Sequence, residues 1–460
     1  MDPRNLSGLK VLVIGLGRTG VATAHFLASR DARVYISEEK KREDVEDSQR
    51  LIEGTGATVQ TGGHDTGILS GIDLIIPSPG VPPRNVLLAE GIMRGIPVVS
   101  ELELASWFIS TPIVAITGTN GKTTTTALIG ALLARGGRRV YVGGNIGTPL
   151  VAVVDEEEKY DCMVVEVSSF QLMWCERFSP AIGILLNTTI DHMDYHASFA
   201  EYRSIKERIF ANQTTSCCAV LNADDPRSAP LAKRISAAPV FFSSSQVLAE
   251  GIFVNGTSLR YRDAAGRNEN YPLEAVRLRG NHNRENIMAS IVAARWCGCE
   301  PSAIAESLRT FPGLSHRIEY LGATHGVEFY DDSKGTNADA VARALESFSK
   351  PVILLMGGRD KTGGFDVLAP LIRTKVKELI LFGEARETIR AYVGSVVPTV
   401  SEERLAGAVR RAVLSASPGD VVLLSPGCAS FDEFRNYEER GNHFRETVNR
   451  MTGGLTRADD

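Results

Sequence analysis

A strand, a glycine-rich loop and a helix follow one another from Ile113 to Leu133, and this order restricts the fold more than any other feature of the sequence. The branched run IVAI leads into GTNGKT, and TTTALIGALL follows with a helical composition. Such a loop brings backbone N–H groups, a lysine and a hydroxyl to a phosphate and its Mg²⁺. Ile116 stands where G-x-x-x-x-G-K-[ST] has its first glycine, so the loop is a shortened form. We predict a phosphate-binding loop here, because a plain helix entry with a surface lysine does not explain this order.

Strand and helix patterns alternate along the rest of the chain. The segments LKVLVIG, ARVYIS, DLIIPSPGVPP (a strand that breaks into a Pro/Gly turn) and IPVVSELELA predict strands up to about residue 105, and VEFYDDS, PVILLMGG, ELILFG and DVVLLSP predict strands near the C-terminus. Residues 240–274 alternate over short segments and predict a small antiparallel excursion. Nearly continuous apolar strands between helices indicate mostly parallel sheets covered on both faces. We predict an α/β protein of three domains: a Rossmann-like domain at 1–100, a central P-loop-type ATPase domain at 101–313 and a Rossmann-like domain at 314–460.

Composition restricts the class of protein. The 460 residues are 43% hydrophobic and 23% charged, as in soluble globular proteins. The net charge of −5 gives no support for a nucleic-acid or membrane-surface partner. We find neither an apolar run that could span a bilayer nor a signal-peptide core, and we expect a cytoplasmic protein. The seven cysteines lack a C-x-x-C pair, so neither zinc nor a disulfide framework is indicated, and most should be buried thiols.

A second glycine-rich loop, GLGRTG at residues 15–20, lies between the first predicted strand and helix. Glu38 follows Gly15 by 38 − 15 = 23 residues, close to the spacing of a dinucleotide fingerprint. The glycines allow a tight turn, and the helix N-terminus that follows favours an anion. A nucleotide-sugar diphosphate satisfies this as well as NAD does, so a nicotinamide enzyme is one alternative function.

Side chains that could hold a metal follow the predicted strands next to the phosphate loop. Glu166 ends the run CMVVEV, where an unneeded carboxylate would be costly to bury. Asn187, Asp191 and His192 come just after GILL. Mg²⁺ prefers oxygen ligands, so Glu166 is the easier candidate and His192 the less obvious one. Together with the loop, these groups predict a magnesium nucleotide site.

Eight motifs, in their order along nearly the whole chain, resemble the Mur ligases of peptidoglycan synthesis: GTNGKTT, EVSSFQL, NTTIDHMDYH, YRSIK, GNHNRENI, HRIE, DDSKGTN and SPGCASFDEF. GTNGKT is shared with sibling ligases, folylpolyglutamate synthase and cyanophycin synthetase. DDSKGTN and the segment around SPGCASFDEF are particular to the branch that adds D-glutamate. The resemblance implies a cytoplasmic, monomeric, ATP-dependent ligase that joins D-glutamate to UDP-N-acetylmuramoyl-L-alanine through an acyl phosphate. A sibling that adds L-alanine, a diamino acid or D-Ala-D-Ala is the nearest alternative, and a non-catalytic nucleotide-binding regulator is another.

The resemblance also implies residue roles, with UDP held by the first domain, ATP by the middle one, and ATP and the amino acid by a closing last domain. Catalytic residues are expected at Lys122, His192 and Lys206. ATP contacts are expected at Gly118, Thr119, Asn120, Gly121, Lys122, Thr123, Thr124, Asn283, Asn286, Arg317, Asp332 and Lys334. UDP-substrate contacts are expected at Arg18, Thr19, Ser37, Gly80, Asn145 and His192, and D-glutamate contacts at Thr336, Lys361, Ser430, Phe431 and Tyr437. Two Mg²⁺ ions would be held by Thr123, Glu166, His192 and Lys206. Lys206 matches the family's carbamylated lysine (N6-carboxylysine), although its helix EYRSIKERIF alone favours a solvated side chain.

Overall fold

The computed structural model describes residues 4–276, 278, 281–360 and 363–455. The chain divides into two compact units, each described below by itself. Unit 1 consists of Met1–Thr188, Tyr195–Ala275 and Glu285–Arg309, and unit 2 of Thr189–Asp194, Val276–Arg284 and Thr310–Asp460. Unit 1 contains two sheets and unit 2 contains one, and the predicted division near residues 100 and 313 stays a prediction.

The first sheet of unit 1 is a small parallel one. Its strands are β1 (Lys10–Ile14), β2 (Arg33–Glu38), β3 (Thr58–Thr61) and β4 (Leu74–Pro77), with α1 (Arg18–Ala28), α2 (Glu46–Leu51), α3 (Val86–Met93) and α4 (Glu101–Ser106) around and after them. The strand order is β3-β2-β1-β4. The strand predicted at IPVVSELELA is wrong, because the segment makes only a bridge from Val98 to Ile75 and its second half lies in α4. The Ser100 side chain accepts the N–H of Glu103 and so caps this helix.

The second sheet of unit 1 is larger and carries the phosphate loop. Its strands are β5 (Ile113–Thr117), β6 (Val140–Gly144), β7 (Cys162–Glu166), β8 (Ile182–Leu185), β9 (Cys218–Asn222), β10 (Ala238–Ser243), β11 (Gly251–Asn255), β12 (Ser258–Arg262) and β13 (Asn268–Pro272). They lie in the order β13-β12-β11-β10-β9-β8-β5-β7-β6. All neighbours pair parallel except β11–β12 and β12–β13, which confirms the predicted antiparallel excursion. The helices of this part of the chain are α5 (Lys122–Arg135), α6 (Ser169–Met173), α7 (Phe199–Glu207), α8 (Ser228–Ala232), α9 (Asn281–Trp296) and α10 (Pro301–Thr310).

Unit 2 is built on the third sheet. Its strands are β14 (Glu319–Thr324), β15 (Val327–Asp331), β16 (Val352–Gly357), β17 (Val376–Phe382), β18 (Thr399–Ser401) and β19 (Val421–Gly427). They lie in the order β14-β15-β19-β16-β17-β18, and β14 alone pairs antiparallel. The helices are α11 (Ala338–Glu346), α12 (Ala369–Lys375), α13 (Arg386–Val393), α14 (Leu405–Ser415) and α15 (Tyr437–Thr452).

Several inner strands of the second and third sheets are buried over their whole length. Strands β5, β7, β9, β16 and β19 have no exposed residue, as expected for parallel strands with helices on both faces. This confirms the predicted α/β class. None of the helices in the described part of the chain combines the length and apolar character that crossing a bilayer requires.

Candidate active site

The phosphate loop, residues 118–123, leaves the carboxyl end of the buried strand β5 and turns directly into α5. Gly118 and Gly121 have φ of +155° and +87°, which residues with a side chain rarely adopt. A Cβ at Gly121 would lie 2.2 Å from Oδ1 of Asn286 on α9. The glycine therefore allows α9 to pack against the loop, and the structure brings the predicted ATP contact Asn286 to it.

Asn187 fixes the loop from the end of β8, a role that the sequence did not indicate. Its Oδ1 accepts the backbone N–H of Asn120 at 2.9 Å, and its Nδ2 donates to the Asn120 carbonyl at 3.0 Å. The Asn187 carbonyl also accepts the N–H of Thr119 at 3.0 Å. The side chain interpreted as a possible magnesium ligand is thus hydrogen-bonded to the loop backbone, and its role as a ligand stays a prediction. The sequence signal that could have indicated this role is the side chain of Asn187 itself, which is an amide and not a carboxylate.

We expect Asn187→Ala to lower kcat/KM for ATP by about thirtyfold, because the loss of two hydrogen bonds, each worth about 1 kcal/mol, loosens the loop. Steady-state kinetics with varied ATP measure this. Asn212→Ala is the matched control, because the Asn212 side chain also makes two hydrogen bonds to the backbone of unit 1, donating to the carbonyls of Glu176 and Phe178. Equal effects of the two substitutions would contradict the assigned role.

Two lysines converge on the loop. Nζ of Lys122 donates to the carbonyls of Gly118 and Thr119 at 2.9 and 2.8 Å, and Nζ of Lys206 donates to the Gly118 carbonyl at 2.9 Å. Lys206 is 1% exposed, and its Nζ lies 4.6 Å from the centre of the Tyr202 ring. The interpretation of Lys206 as a solvated helix lysine is therefore wrong. The loop carries concentrated positive charge, which suits a polyphosphate.

Glu166 ends β7, the strand beside β5, and is 2% exposed. Its Oε1 accepts Nδ2 of Asn145 at 3.0 Å, whereas its buried Oε2 has no hydrogen-bond partner among the described residues. A buried carboxylate oxygen without a donor is costly unless a cation satisfies it. This donor fits the Mg²⁺ that the sequence predicts, and Thr123 lies in the first turn of α5 with the hydroxyl that the motif needs.

His192 lies in the segment Thr189–Asp194 of unit 2 with φ of +55°. The preceding Asp191 accepts the His192 N–H at 2.9 Å through Oδ1 and Nδ2 of Asn337 at 3.1 Å through Oδ2. Asn337 also caps α11, because its Oδ1 accepts the N–H of Ala340. Asp191 thus orients the His192 backbone, and the metal role of His192 stays a prediction.

The loop GLGRTG forms the tight turn that its glycines predict. Gly15 has φ of +93°, and a Cβ at Gly20 would lie 2.0 Å from the Gly15 carbonyl oxygen, so α1 packs directly on the turn. The Glu38 carboxylate accepts the N–H groups of Leu16 at 2.6 Å and Lys40 at 3.0 Å. The acid that would bind a dinucleotide ribose is therefore engaged by the loop itself, which disfavours the nicotinamide alternative.

The predicted UDP-substrate residues all lie in unit 1 apart from His192. Ser37 Oγ and His64 Nδ1 are 2.8 Å apart at the end of β2. Arg18 at the start of α1 donates through Nη1 to the Gly147 carbonyl at 3.2 Å. The other residues are Thr19 in the first turn of α1, the exposed Gly80 and the exposed Asn145. Their role stays a prediction.

In unit 2 the two motifs DDSKGTN and SPGCASFDEF pack on each other. Ser425 Oγ donates to Oδ2 of Asp332 at 2.7 Å, and the Gly427 N–H donates to the Gly335 carbonyl at 2.9 Å. A Cβ at Gly335 would lie 2.5 Å from Asp332 Oδ2, so the contact needs a glycine. The ends of the neighbouring strands β15 and β19 thus form one cluster of backbone and side chains.

A buried arginine holds this cluster together. Arg440 on α15 is 0% exposed, and its guanidinium donates to Ser333 Oγ at 3.0 Å, to the Ser333 carbonyl at 2.7 Å and to the Cys428 carbonyl at 3.0 Å. Burial lowers its pKa to about 10. Sequence reasoning missed this residue, because an arginine among polar helix residues is usually solvated.

His316, Glu319 and Asp331 form a further group with ligand atoms within 4.8 Å of one another. Nδ1 of His316 lies 2.7 Å from Asp331 Oδ2, and Glu319 Oε2 accepts Nη2 of Arg445 at 2.7 Å. Asp331 Oδ1 accepts the Ser333 N–H at 2.8 Å. We interpret the three residues as a hydrogen-bonded group that supports the cluster, and not as a metal site.

Several of the predicted ATP and D-glutamate residues of unit 2 belong to the two motifs of this cluster, namely Asp332, Lys334, Thr336, Ser430 and Phe431. Lys334 Nζ donates to the Tyr437 hydroxyl at 2.9 Å and lies 4.4 Å from the centre of its ring. Ser430 is buried and Phe431 is 56% exposed in the segment after β19. The remaining residues are the half-buried Arg317 and Thr336 and the buried Asn283. Lys361 lies outside the described residues.

Asp332 gives the unfolding of unit 2 a pH dependence. Burial raises the pKa of its carboxyl from 3.8 to about 7. The pKa of Asp332 is thus higher in the native than in the unfolded protein. The contribution of this carboxyl to stability is therefore full below about pH 4 and is lost as the pH rises through about 7. We expect Asp332→Asn to weaken the fall in stability between about pH 5 and about pH 8.

Urea unfolding at these two pH values, followed by circular dichroism, measures this effect. Tryptophan fluorescence would not report it, because Trp107, Trp174 and Trp296 all lie in unit 1. Asp366→Asn, which replaces an exposed carboxyl of unit 2, is the control and should leave the pH dependence of stability unchanged. An unchanged slope in Asp332→Asn would contradict the raised pKa.

Most of the chain is similar to known proteins of a single family. Three family models match: Mur ligase MurD-like, N-terminal domain at residues 9–100, Mur ligase middle domain at 116–294, and Mur ligase, glutamate ligase domain at 316–428. A UDP-N-acetylmuramoylalanine--D-glutamate ligase of Syntrophus aciditrophicus is 52% identical over 445 residues, which are 96% of this chain and 98% of that protein. The protein of the same name from Acidobacterium capsulatum is 44% identical over 446 residues, 96% of each chain.

The solved structures share the fold at low identity. The MurF ligase of Thermotoga maritima in complex with ADP superposes with a TM-score of 0.61 at 17% identity, over 98% of this chain and 99% of that one. The three sheets described above thus follow an architecture found in solved Mur ligases.

Proposed function

The chain belongs to the Mur ligase family, and we propose that it joins D-glutamate to UDP-N-acetylmuramoyl-L-alanine with the cleavage of ATP. The observation that carries this is the identity of 40–52% over nearly the whole chain with proteins named UDP-N-acetylmuramoylalanine--D-glutamate ligase. The mutual packing of DDSKGTN and SPGCASFDEF in unit 2 supports it, because the D-glutamate-adding branch differs from its siblings in these motifs. The enzyme is thus an ATP-dependent, amide-forming ligase of peptidoglycan precursor synthesis.

ATP is proposed to bind with its phosphates on the loop of residues 118–123. Backbone N–H groups at the start of α5 and the ammonium group of Lys122 favour the β- and γ-phosphates. Glu166 and Thr123 would hold a Mg²⁺ ion there, which screens the phosphate charge. A second ion at His192 and carbamylation of Lys206 belong to the same proposal. The buried position of Lys206 beside Gly118 supports a role at the loop in either form.

The chemistry follows from the poor reactivity of a carboxylate toward an amine. An oxygen of the L-alanyl carboxylate attacks the γ-phosphorus, the bond to the bridging oxygen breaks, and ADP leaves. The amine of D-glutamate then attacks the acyl carbon, phosphate leaves with the bonding pair, and the nitrogen loses a proton. The protein's part is to position the reactants in line and to stabilise the charge on the transferred phosphoryl group through Lys122.

D-glutamate is proposed to bind at the cluster of unit 2. Its two carboxylates need cationic or hydrogen-bond donors, and the residues assigned to them are Thr336, Lys361, Ser430, Phe431 and Tyr437. Arg317, Asp332 and Lys334 are assigned to ATP, and closure of the C-terminal domain during the reaction is part of the proposal. We also propose that the enzyme works as a cytoplasmic monomer.

We expect Ser430→Ala to raise KM for D-glutamate by about tenfold, because a lost hydrogen bond to a charged group is worth about 1.5 kcal/mol. KM for ATP should stay within about twofold. Ser415→Ala, on α14 of the same unit, is the control and should change neither constant. A parallel rise in both KM values would indicate that Ser430 supports the fold rather than the amino acid.

An amino-acid panel tests the choice of substrate. Phosphate release is measured with UDP-N-acetylmuramoyl-L-alanine, ATP and Mg²⁺ and with D-glutamate, L-glutamate, L-alanine, a diamino acid or D-Ala-D-Ala. The proposal predicts turnover with D-glutamate far above that with the others. A clear preference for another acceptor would assign the chain to a sibling activity.

A further inference from the structure

A short turn, residues 78–81, follows β4 in unit 1 and lies against the loop GLGRTG. The Val81 N–H donates to the Ser78 carbonyl at 2.9 Å and closes the turn. The Ser78 N–H donates to the Ile14 carbonyl at 2.8 Å, and Ser78 Oγ donates to the Gly15 carbonyl at 3.2 Å. A Cβ at Gly15 would lie 3.0 Å from Ser78 Oγ and 3.6 Å from Val81 Cγ2. The turn and the loop are therefore packed together at the carboxyl ends of β1 and β4.

The UDP substrate is expected to contact both the loop and this turn. Arg18 and Thr19 of the loop and Gly80 of the turn are among the residues assigned to that substrate. Gly80 is exposed, and its neighbour Val81 is half-buried. The position of the turn therefore decides where the exposed backbone of Gly80 would meet the nucleotide sugar.

Tyr195 holds the turn from a distant part of the sequence. Its hydroxyl donates to the Val81 carbonyl at 2.9 Å, although the two residues are 114 positions apart. Burial raises the pKa of Tyr195 to about 12, so the hydroxyl keeps its proton and remains a donor at neutral pH. Val81 is thus fixed through its N–H by Ser78 and through its carbonyl by Tyr195.

The Tyr195 ring is itself fixed by α6 and by the next residue. Its centre lies 4.0 Å from that of the Phe170 ring and 5.0 Å from that of the His196 ring. His196 is buried, and its Nε2 lies 3.0 Å from Ser169 Oγ. α6 begins three residues after Glu166, the proposed magnesium ligand. Tyr195 therefore connects the turn to the helix that follows the proposed metal site.

We propose that Tyr195 is a positioning residue for the nucleotide-sugar substrate and acts by holding the turn of residues 78–81 through the Val81 carbonyl. This inference rests on the proposed function, which supplies the substrate. A turn that is already ordered does not have to be ordered by the substrate, so the hydrogen bond contributes to the affinity for the nucleotide sugar. The bond does not involve the phosphate loop, so the affinity for ATP should not depend on it.

The test compares the steady-state kinetics of the full-length protein with those of Tyr195→Phe, which removes the hydroxyl and keeps the ring. KM for UDP-N-acetylmuramoyl-L-alanine should rise about fivefold, which corresponds to about 1 kcal/mol for one hydrogen bond. Both kcat and KM for ATP should stay within about twofold. Tyr271→Phe is the matched control, because the Tyr271 hydroxyl also donates a hydrogen bond in unit 1, to Glu269 Oε2 at 2.6 Å. It should leave all three constants unchanged.

A second substitution separates an effect through the turn from a direct contact between Tyr195 and the substrate. Ser78→Ala removes the hydrogen bond from Ser78 Oγ to the Gly15 carbonyl and so loosens the same turn at its other end. Ser78→Ala and Tyr195→Phe together should raise KM for the nucleotide sugar by less than the product of their single effects. A combined effect equal to that product would overturn the role of the turn.

Two further results would overturn the proposal and leave the proposed function intact. One is an unchanged KM for the nucleotide sugar in Tyr195→Phe, and the other is an equal rise in KM for the nucleotide sugar and for ATP. Isothermal titration of the unsubstituted protein with UDP-N-acetylmuramoyl-L-alanine distinguishes a failure of the proposed function. A protein that neither binds nor converts this compound would overturn the proposed function and the role of Tyr195 together.

Discussion

Phosphate release in the complete reaction is expected to fall by about a thousandfold or more in Lys122→Ala. Nζ of Lys122 lies over the Gly118 and Thr119 carbonyls, at the part of the loop where the β- and γ-phosphates are proposed to bind. Removal of its charge leaves the transferred phosphoryl group without its main cationic partner from the loop. Stopped assays of phosphate and ADP measure the loss.

The control for this substitution is Lys159→Ala, because Lys159 is exposed and forms an exposed ion pair with Glu156 three residues away. It should retain full activity, since an exposed ion pair contributes little. Thermal unfolding of Lys122→Ala should remain a single cooperative transition, with a loss of stability of at most about 2 kcal/mol from its two hydrogen bonds to the loop. Near-normal turnover in Lys122→Ala would contradict the assignment of the loop.

Glu166→Gln is expected to raise the Mg²⁺ concentration for half-maximal activity by about ten- to a hundredfold. The glutamine can still accept the Asn145 amide through Oε1, but it removes the charge at the oxygen that no described residue satisfies. Because no buried charge is left behind, the unfolding midpoint should not fall. Activity titrated with Mg²⁺ and a thermal melt measure the two effects separately.

Glu101→Gln is the matched control in the same unit. Glu101 is also buried, at 1% exposed, and its Oε2 also lacks a hydrogen-bond partner among the described residues. Burial raises the pKa of Glu101 to about 7, so this carboxyl can keep a proton where Glu166 is proposed to hold a cation. A shift of the Mg²⁺ requirement in Glu101→Gln, or none in Glu166→Gln, would contradict the metal site.

The α/β class and the position of the phosphate loop could be predicted because both depend on local patterns. Apolar runs of strand length and the order strand, loop, helix are visible without any knowledge of distant contacts. The strand predicted at IPVVSELELA was wrong because its apolar residues were given more weight than the S-x-x-E pattern of Ser100 and Glu103, which marks the start of a helix. A short apolar run thus does not by itself separate a strand from a helix.

The buried side chains that support the candidate site could not be predicted, because they are buried by contacts with residues far away in the sequence. Arg440 is buried and hydrogen-bonded to Ser333 and Cys428. Ser333 lies 107 residues before Arg440 in the chain. Lys206 is buried against a loop 88 residues earlier. Both lie on helices whose sequences suggest solvated faces. The resemblance to the Mur ligases indicated Lys206 as a site residue, but the packing that places its side chain at the loop is visible only in the structure.

The most direct test of the account measures amide formation with one component omitted at a time. The complete mixture contains the protein, UDP-N-acetylmuramoyl-L-alanine, D-glutamate, ATP and Mg²⁺, and both phosphate and the coupled product are quantified. The account predicts equal amounts of phosphate and of product one glutamyl residue heavier, and no product when any component is absent. Phosphate released without the nucleotide-sugar substrate, or no product from the complete mixture, would contradict it.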